Sequence, residues 1–347
     1  MSKQVRKWHE LSLLCRSGAG LAAITPQVCR LLRELVGADA AALFWMNAEG
    51  LPDGFYHEDS PASVREVFLN AFRELFIGPA ELNVAMLAQM RGRRGGHLLA
   101  PGQDYYRSNT FNMLVRASGH QHSLDLRIDI DGQARAIVLL FRAPPHAFTE
   151  ADLATLSRAS DPVSQALKLH AEGDDWAIAE PPGHLLVAAD GSRILMATTR
   201  AEELIRTSNR VGAGIALTGP LEAPPAFVAD LVRGCAGAGP AEGTVPVPSG
   251  RLRATVEPMR APGAGAAATL VVLALETPRH LARLDRVLAL DLSPRRRELA
   301  LAAARGESRR DASTRLGVSE EAMKKHLAIV YAATGTHSWE ELTAFFA

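Results

Sequence analysis

The chain has 347 residues, 47% apolar and 22% charged, enough to bury cores without staples and too apolar for wholesale disorder. Lys plus Arg and Asp plus Glu each number 38, so no overall basic footprint marks a nucleic-acid partner. Three cysteines without a C-x-x-C spacing exclude a disulfide framework and a thiolate zinc pair. After a basic start, the apolar stretch Leu11–Cys15 is too short for a signal-peptide core. The longest apolar run, near Ala266–Leu275, is about half of a membrane span. These features point to a soluble protein of the cytoplasm with no membrane partner.

In chain order, residues 24–35 carry helical spacing through Val28, Leu31, Leu32 and Leu35. Ala40–Met46 is a short apolar run that suits a buried strand. Ser63–Leu75 returns to helical spacing with Val67, Phe68 and Phe72, and Ser63 with Glu66 fits a capping box. Gly78–Asn112 is rich in Gly and Arg and suits a pocket lid. Leu124, Leu126, Ile128 and Ile130 alternate with Asp125, Arg127 and Asp129, the period of a strand. Asp131-Gly132 supplies a two-residue turn, and Gln133–Phe141 returns. Thr149 and Asp152 form a capping-box pattern before a helix reaching about His170. Strands followed by a closing helix resemble a GAF-type sensory domain over residues 1–172.

Residues 173–277 open with strand, Asp190-Gly191 turn and strand. A helix follows around Thr198–Ile205. Arg251–Met259 and Thr269–Leu275 read as two more strands joined by Pro262–Ala268, and Gly234–Pro240 is a Gly/Ala-rich loop. Opening hairpin, short helix and closing hairpin resemble a PAS-type domain. Over residues 278–290, Leu281, Leu284 and Leu288 fall at i, i+3 and i+7. That stripe fits a linker helix pairing with its copy in a dimer, or one packing on the chain's own body.

Residues 291–347 hold nine basic and eight acidic side chains and four predicted helices. Ser293 and Pro294 open the first, and Gly306 ends it. Ser308 with Asp311 caps the second. Gly317-Val318-Ser319 is a tight turn, and Ser319 caps the third, whose buried stripe is Met323, Leu327 and Val330. Glu320, Glu321, Lys324, Lys325 and Ala328 are left on its other faces. Ser338 with Glu341 caps the fourth, with Leu342, Phe345 and Phe346 as its apolar positions.

Helix, three-residue turn, helix is the geometry that places a second helix in the major groove. Ser293-Pro294-Arg295, Glu298, Gly306, Leu316-Gly317-Val318-Ser319, Lys324-Lys325-His326-Leu327 and Gly335 closely resemble the LuxR/FixJ-type DNA-binding domain without gaps. The resemblance implies that Lys324 and Lys325 lie near DNA and that the fourth helix helps dimerisation. Arg296 stands where the family usually has Glu, so Ser293 loses its reciprocal cap. Ala312 replaces a usual Ile, and Ala322-Met323 replaces Thr-Val.

The fold expected is therefore a multidomain chain: α+β sensory domains followed by an all-α four-helix helix-turn-helix domain. Its DNA face would be Arg309, Arg310, Arg315, Ser319, Glu320, Glu321, Lys324, Lys325 and Ala328, with phosphate contacts supplying most of the affinity. Glu320 and Glu321 read either as acceptors for cytosine amino groups or as charges suited to a helix N-terminus. Trp45, Tyr105, Tyr106 and Phe111 are candidates to line an effector pocket or to pack in a core. His120-Gln121-His122 is a weak metal pair without a third ligand, and Arg91–Gly96 a candidate anion loop. No catalytic motif is evident, so neither an enzyme nor a cofactor is expected. The chain reads as a dimeric transcription regulator. Its partners would be double-stranded DNA and a small-molecule or protein effector, with RNA polymerase a further one. The competing reading is a regulator acting by protein contact, with a vestigial DNA-binding domain.

Overall fold

The computed structural model describes residues 3–168, 176–210, 214–235, 239–259 and 268–346. Helices α1 (Lys3–Cys15) and α2 (Leu21–Val36) pack on one another and on one face of a four-stranded antiparallel sheet. Its strands are β1 (Ala40–Met46), β2 (Pro52–His57), β3 (His122–Ile130) and β4 (Gln133–Arg142), in the order β2-β1-β4-β3. β1 is buried throughout, which is why it reads as an unbroken apolar run. Period two sends Ala41, Leu43 and Trp45 toward α2, and Ala40, Ala42, Phe44 and Met46 to the opposite layer. Asp131 and Gly132 both hold positive φ, 51° and 76°, as the tight turn between β3 and β4 requires.

The opposite layer holds α3 (Ala62–Asn70), α4 (Phe72–Leu75) and α5 (Val84–Gln89), followed by short helical turns over residues 105–118. The predicted lid region thus supplies a wall of this layer. α6 (Glu150–Ser157) and α7 (Ser160–Lys168) return to the α1–α2 side. Thr149 and Asp152 make the reciprocal cap of α6. The single helix expected there is two, and its end near His170 lies outside the described residues. The cap expected at Ser63 does not form. α3 begins behind Pro61, and the Glu66 carboxylate instead accepts from Leu217 and Thr218.

The second sheet contains β5 (Trp176–Ile178), β6 (Gly183–Ala188), β7 (Ile194–Ala197), β8 (Ala241–Val247), β9 (Gly250–Met259) and β10 (Ala268–Pro278). Its order is β7-β6-β10-β9-β8, with β5 on the far end of β10. Helices α8 (Thr199–Thr207) and α9 (Ala226–Cys235) lie between β7 and β8 in sequence. Most of the predicted Pro262–Ala268 turn and the centre of the Gly234–Pro240 loop fall outside the described residues. So does the boundary expected at residue 172. Both sheets share one connectivity: an opening hairpin, helices, then closing strands, with the first hairpin strand beside the last. Element order therefore does not separate the first unit from the second.

α10 (Arg279–Ala289), α11 (Pro294–Ala304), α12 (Arg309–Leu316), α13 (Glu320–Thr334) and α14 (Trp339–Phe346) complete the chain. Gly317, at φ 58°, closes α12, and Ser319 caps α13 by accepting from Ala322 N. Ser293 begins α11 without the side-chain cap bond expected of it, and Arg296 offers no carboxylate to return one. Leu281 and Leu284 are buried in the chain's own core, and Leu288 is half-buried against it. Of the two readings of this stripe, packing on the chain's own body is the one the fold displays.

One apolar core runs from α1 and α2 through the outer face of the first sheet and α10 into α11–α14. Another joins the inner face of the first sheet to the interior of the second. No helix among the described residues is long and apolar enough to cross a membrane.

Candidate nucleic-acid interface and ligand cavity

The α12–turn–α13 segment is built as its sequence dictates. Met323, Leu327 and Val330 face the core, with Ala312 fully buried beneath α12. Arg309, Arg310, Arg315, Ser319, Glu320, Glu321, Lys324, Lys325 and Ala328 are all exposed. Arg309 and Arg310 occupy the first turn of α12 and make no ion pair with the described residues. Arg315 is already engaged, 3.1 Å from Glu307 and 4.0 Å from Glu298. Lys325 sits 2.9 Å from Glu321, one turn back on the same helix. Such exposed pairs contribute ~0–1 kcal/mol and exchange readily for another anion. Glu320 and Glu321 lie in the first turn of α13, where a negative charge suits the helix dipole.

The C-terminal helices are tied to α1 by charge. The Glu298 carboxylate is 3.6 Å from His9 and 3.7 Å from Arg16. The adjacent His9 imidazole, helped by Arg16 and Arg315, holds Glu298 below the ordinary carboxylate value against the effect of burial. Arg297 is 4% exposed, with Nη1 3.7 Å from Glu10, and burial pulls its guanidinium value down. Arg6 pairs with Asp291.

In the first unit, a cavity of about 60 Å³ lies between the inner sheet face and the α3–α5 layer. Phe44, Phe55, Phe68, Leu87, Leu139 and Phe141 give it an apolar interior. Phe44 and Phe55 stack at 5.2 Å, and Phe68 meets Phe55 edge-on at 4.9 Å. His57, Arg65, Tyr105, Thr110 and Ser123 add polar groups. Burial pushes the Tyr105 phenol well above its usual range, and Ser123 beside it offsets this in part. The Ser123 hydroxyl is nonetheless buried without a hydrogen bond of good geometry.

Of the four pocket candidates, Tyr105 alone lines this cavity. Tyr106 and Phe111 pack on its ring at 5.5 and 5.4 Å. Trp45 belongs to the opposite sheet face, because it has the parity of Leu43 and not that of Phe44. Its indole covers Gly54, where a Cβ would collide with the ring.

His120 and His122, the weak candidate pair, are not joined with each other. His120 is buried ahead of β3 and pairs instead with His57 across the sheet, both within 3.3 Å of Asp59. Burial alone would push Asp59 up, but the two histidines hold it below its usual value. No group of three metal-ligating side chains occurs among the described residues. The Arg91–Gly96 loop is answered from within the chain. Arg93 forks onto Glu150 at 3.0 and 3.1 Å, and Arg94 lies 3.3 Å from Asp129.

Sequence reasoning missed Arg65, His57 and Ser123. Arg65 and Phe68 stand at i, i+3 on α3, a face that the Val67–Phe68–Phe72 stripe located without naming its polar member.

No protein-family model matches the chain, and no curated protein matches it in sequence. Among solved structures it is similar to a phage VqmA–DPO complex, at 18% identity and TM-score 0.22, covering 48% of this chain and 83% of that one. It is also similar to the Vibrio cholerae VqmA dimer in the absence of target DNA, a LuxR-type receptor, at 16% and 0.19, covering 48% and 82%. A third likeness is to the E. coli DhaR(N)–DhaL complex, at 15% and 0.25, covering 78% and 87%. At such identities and scores no function transfers to this chain.

Proposed function

We propose that the chain is a ligand-responsive, DNA-binding transcription regulator that acts as a dimer in the cytoplasm. The supporting observation is the α12–turn–α13 pair, whose core-facing stripe leaves Arg309, Arg310, Lys324 and Lys325 exposed. In this reading α13 enters the major groove, with Lys324 and Lys325 at the bases or their phosphates and Arg309 and Arg310 on phosphate. Ser319, Glu320, Glu321 and Ala328 border the same helix start, and Arg315 contributes once released by Glu298 and Glu307. The first unit is the sensor, through its apolar cavity, and the second relays occupancy. A two-fold dimer would read half-sites about 34–36 Å apart. Since α10 is consumed by the core, dimer contacts would come from elsewhere, including α14, where Phe345 is exposed. VqmA, a LuxR-type receptor bound to DPO in one solved form, illustrates a regulator of this kind.

The pairing of Arg315 with Glu298 and Glu307, and of Lys325 with Glu321, favours the competing reading, in which the C-terminal helices act by protein contact. Genome-wide recovery of bound DNA by the full chain separates the two. Enrichment of two-fold sites supports the regulator, and no enrichment, with or without effector, leaves the protein-contact reading standing.

A further inference from the structure

Residues 291–347 carry nine basic side chains against eight acidic, a thin surplus for a surface that must hold phosphates. The other end of the chain adds to it. Arg16 follows α1, keeps 51% of its side chain exposed, and lies with Nη2 3.7 Å from Glu298 Oε1. On the other oxygen of that carboxylate is Nη1 of Arg315, at 4.0 Å. The two guanidinium groups are therefore within about 10 Å of each other, a Debye length at ~0.1 M salt. Arg315 continues the row. Its Nε is 3.1 Å from Glu307, whose other oxygen is 4.0 Å from Arg305. Three exposed arginines thus alternate with two glutamates from the end of α1 to the α11–α12 turn.

α11 fixes where this row lies. Arg295 and Glu298 stand at i, i+3, on one face of the helix. Arg295 donates to the Leu316 carbonyl, and Glu298 meets Arg315. That face therefore borders the end of α12, just ahead of the Gly317–Ser319 turn and the start of α13. In a helix-turn-helix the start of the second helix stands at the base edges, and the first helix crosses the phosphate backbone. Arg16 is thus carried by α1 to the rim of the proposed DNA face.

The acids of this stretch are already engaged. Glu298 answers His9 and Arg315 as well as Arg16, and Glu307 answers Arg305 and Arg315. Asp311 bonds Ser308, Glu321 pairs with Lys325, and Glu320 sits in the positive first turn of α13. Arg16 Nε is occupied by Ser12 O at 3.2 Å, but its Nη1 and Nη2 donate no hydrogen bond to the described residues. An exposed ion pair of this kind exchanges readily for another anion, and a planar guanidinium suits a phosphate.

We infer that Arg16 contacts DNA: the first helix of the sensor unit delivers one cation to a backbone phosphate beside the α12–turn–α13 pair. This rests on the chain being a DNA-binding regulator. Docking of α1 on α11 then becomes part of the DNA affinity, and a sensor state that moves α1 withdraws a phosphate contact.

The test is the salt dependence of full-chain binding to a mixed-sequence DNA duplex, followed by fluorescence anisotropy. Arg16→Gln should weaken binding at low salt several-fold and flatten the slope of log K against log salt by about one unit per protomer. Arg16→Lys, which keeps the charge, should retain most of the slope. His9→Gln, which alters the neighbouring hold of α1 on Glu298 and leaves Arg16 in place, should leave the slope of the unaltered chain. An unchanged slope in Arg16→Gln overturns the contact. Equal flattening by His9→Gln also overturns it, because α1 would then act as a tether alone. The DNA-binding reading survives either result if Lys324→Ala with Lys325→Ala still flattens the slope. No binding of the unaltered chain to the duplex at low salt overturns both.

Discussion

Glu66 on α3 and Thr218 of the second unit are joined by two hydrogen bonds of 2.8 Å, from the Thr218 amide and from its hydroxyl. Leu217 N adds a third at 2.7 Å. α3 is thus a wall shared by two units: Arg65 and Phe68 line the cavity, while Glu66 and Asn70 hold residues 215–218. Glu66→Ala is expected to strip both amides of their acceptor. Amide exchange at 217 and 218 should quicken, with the first sheet unaffected.

The pairing of Trp45 with Gly54 gives a steric prediction. Gly54→Ala drives a methyl into the indole, and overpacking of this kind costs about 1–3 kcal/mol. Thermal unfolding of the full chain should shift down accordingly. Trp45→Leu, by opening the space, should restore part of the loss in the double variant.

Leu284 distinguishes a core role from a dimer role. Leu284→Ala should destabilise the chain by about 2–5 kcal/mol in denaturant unfolding. Sedimentation should show the oligomeric state unchanged by the same variant. A change of mass without loss of stability would return the stripe to a subunit interface.

Glu298 carries a pH dependence. Its value is held down in the folded chain, first by the neighbouring His9 imidazole. A depressed carboxylate stabilises above its unfolded value, near 4.3, and that contribution is lost as pH falls through the folded value. Contact between α1 and α11 should therefore loosen below about pH 4. Glu298→Gln should mimic this at neutral pH. Faster proteolysis between residues 289 and 294 would register both.

On the DNA side, Lys324→Ala with Lys325→Ala should weaken binding and flatten its salt dependence by about one to two units of slope per protomer. Measured affinities at several salt concentrations check this, and an unchanged slope removes these lysines from the interface.

Much of this architecture was legible in the residues themselves. The β3–β4 hairpin followed from strict alternation and Asp131-Gly132, and the four C-terminal helices from Ser293, Ser308, Ser319, Gly306 and Gly317. Local rules act within a few residues, so local pattern suffices there. β2 escaped because Pro52 and Gly54 argue against a strand, and Gly54 is needed only because Trp45 lies over it from the neighbouring strand. β8 hides behind Gly243 and Pro246 for a similar reason. The cavity escaped because it is made by contact across long sequence separations: Ser123 meets Tyr105, and Arg65 meets Asn209. Which space Trp45 lines was not legible, because an aromatic on a strand buried on both faces gives no sign of which face it serves; it lines a second pocket with Trp176 and Arg251. Glu66 looked like a cap because the i+3 spacing was right, and its true partners lie about 150 positions on.

The core shared by α1 and the C-terminal helices has a consequence for synthesis. Glu10 and His9 leave the ribosome early, but their partners Arg297 and Glu298 follow almost 290 positions later. At ~5–20 residues per second that interval is on the order of tens of seconds. During it α1 packs on α2 and α7, its main partners in the finished fold, while His9 waits for Glu298. Truncation after the second unit should trap that state, with the apolar surface that α10–α14 cover left open and the product more prone to aggregate.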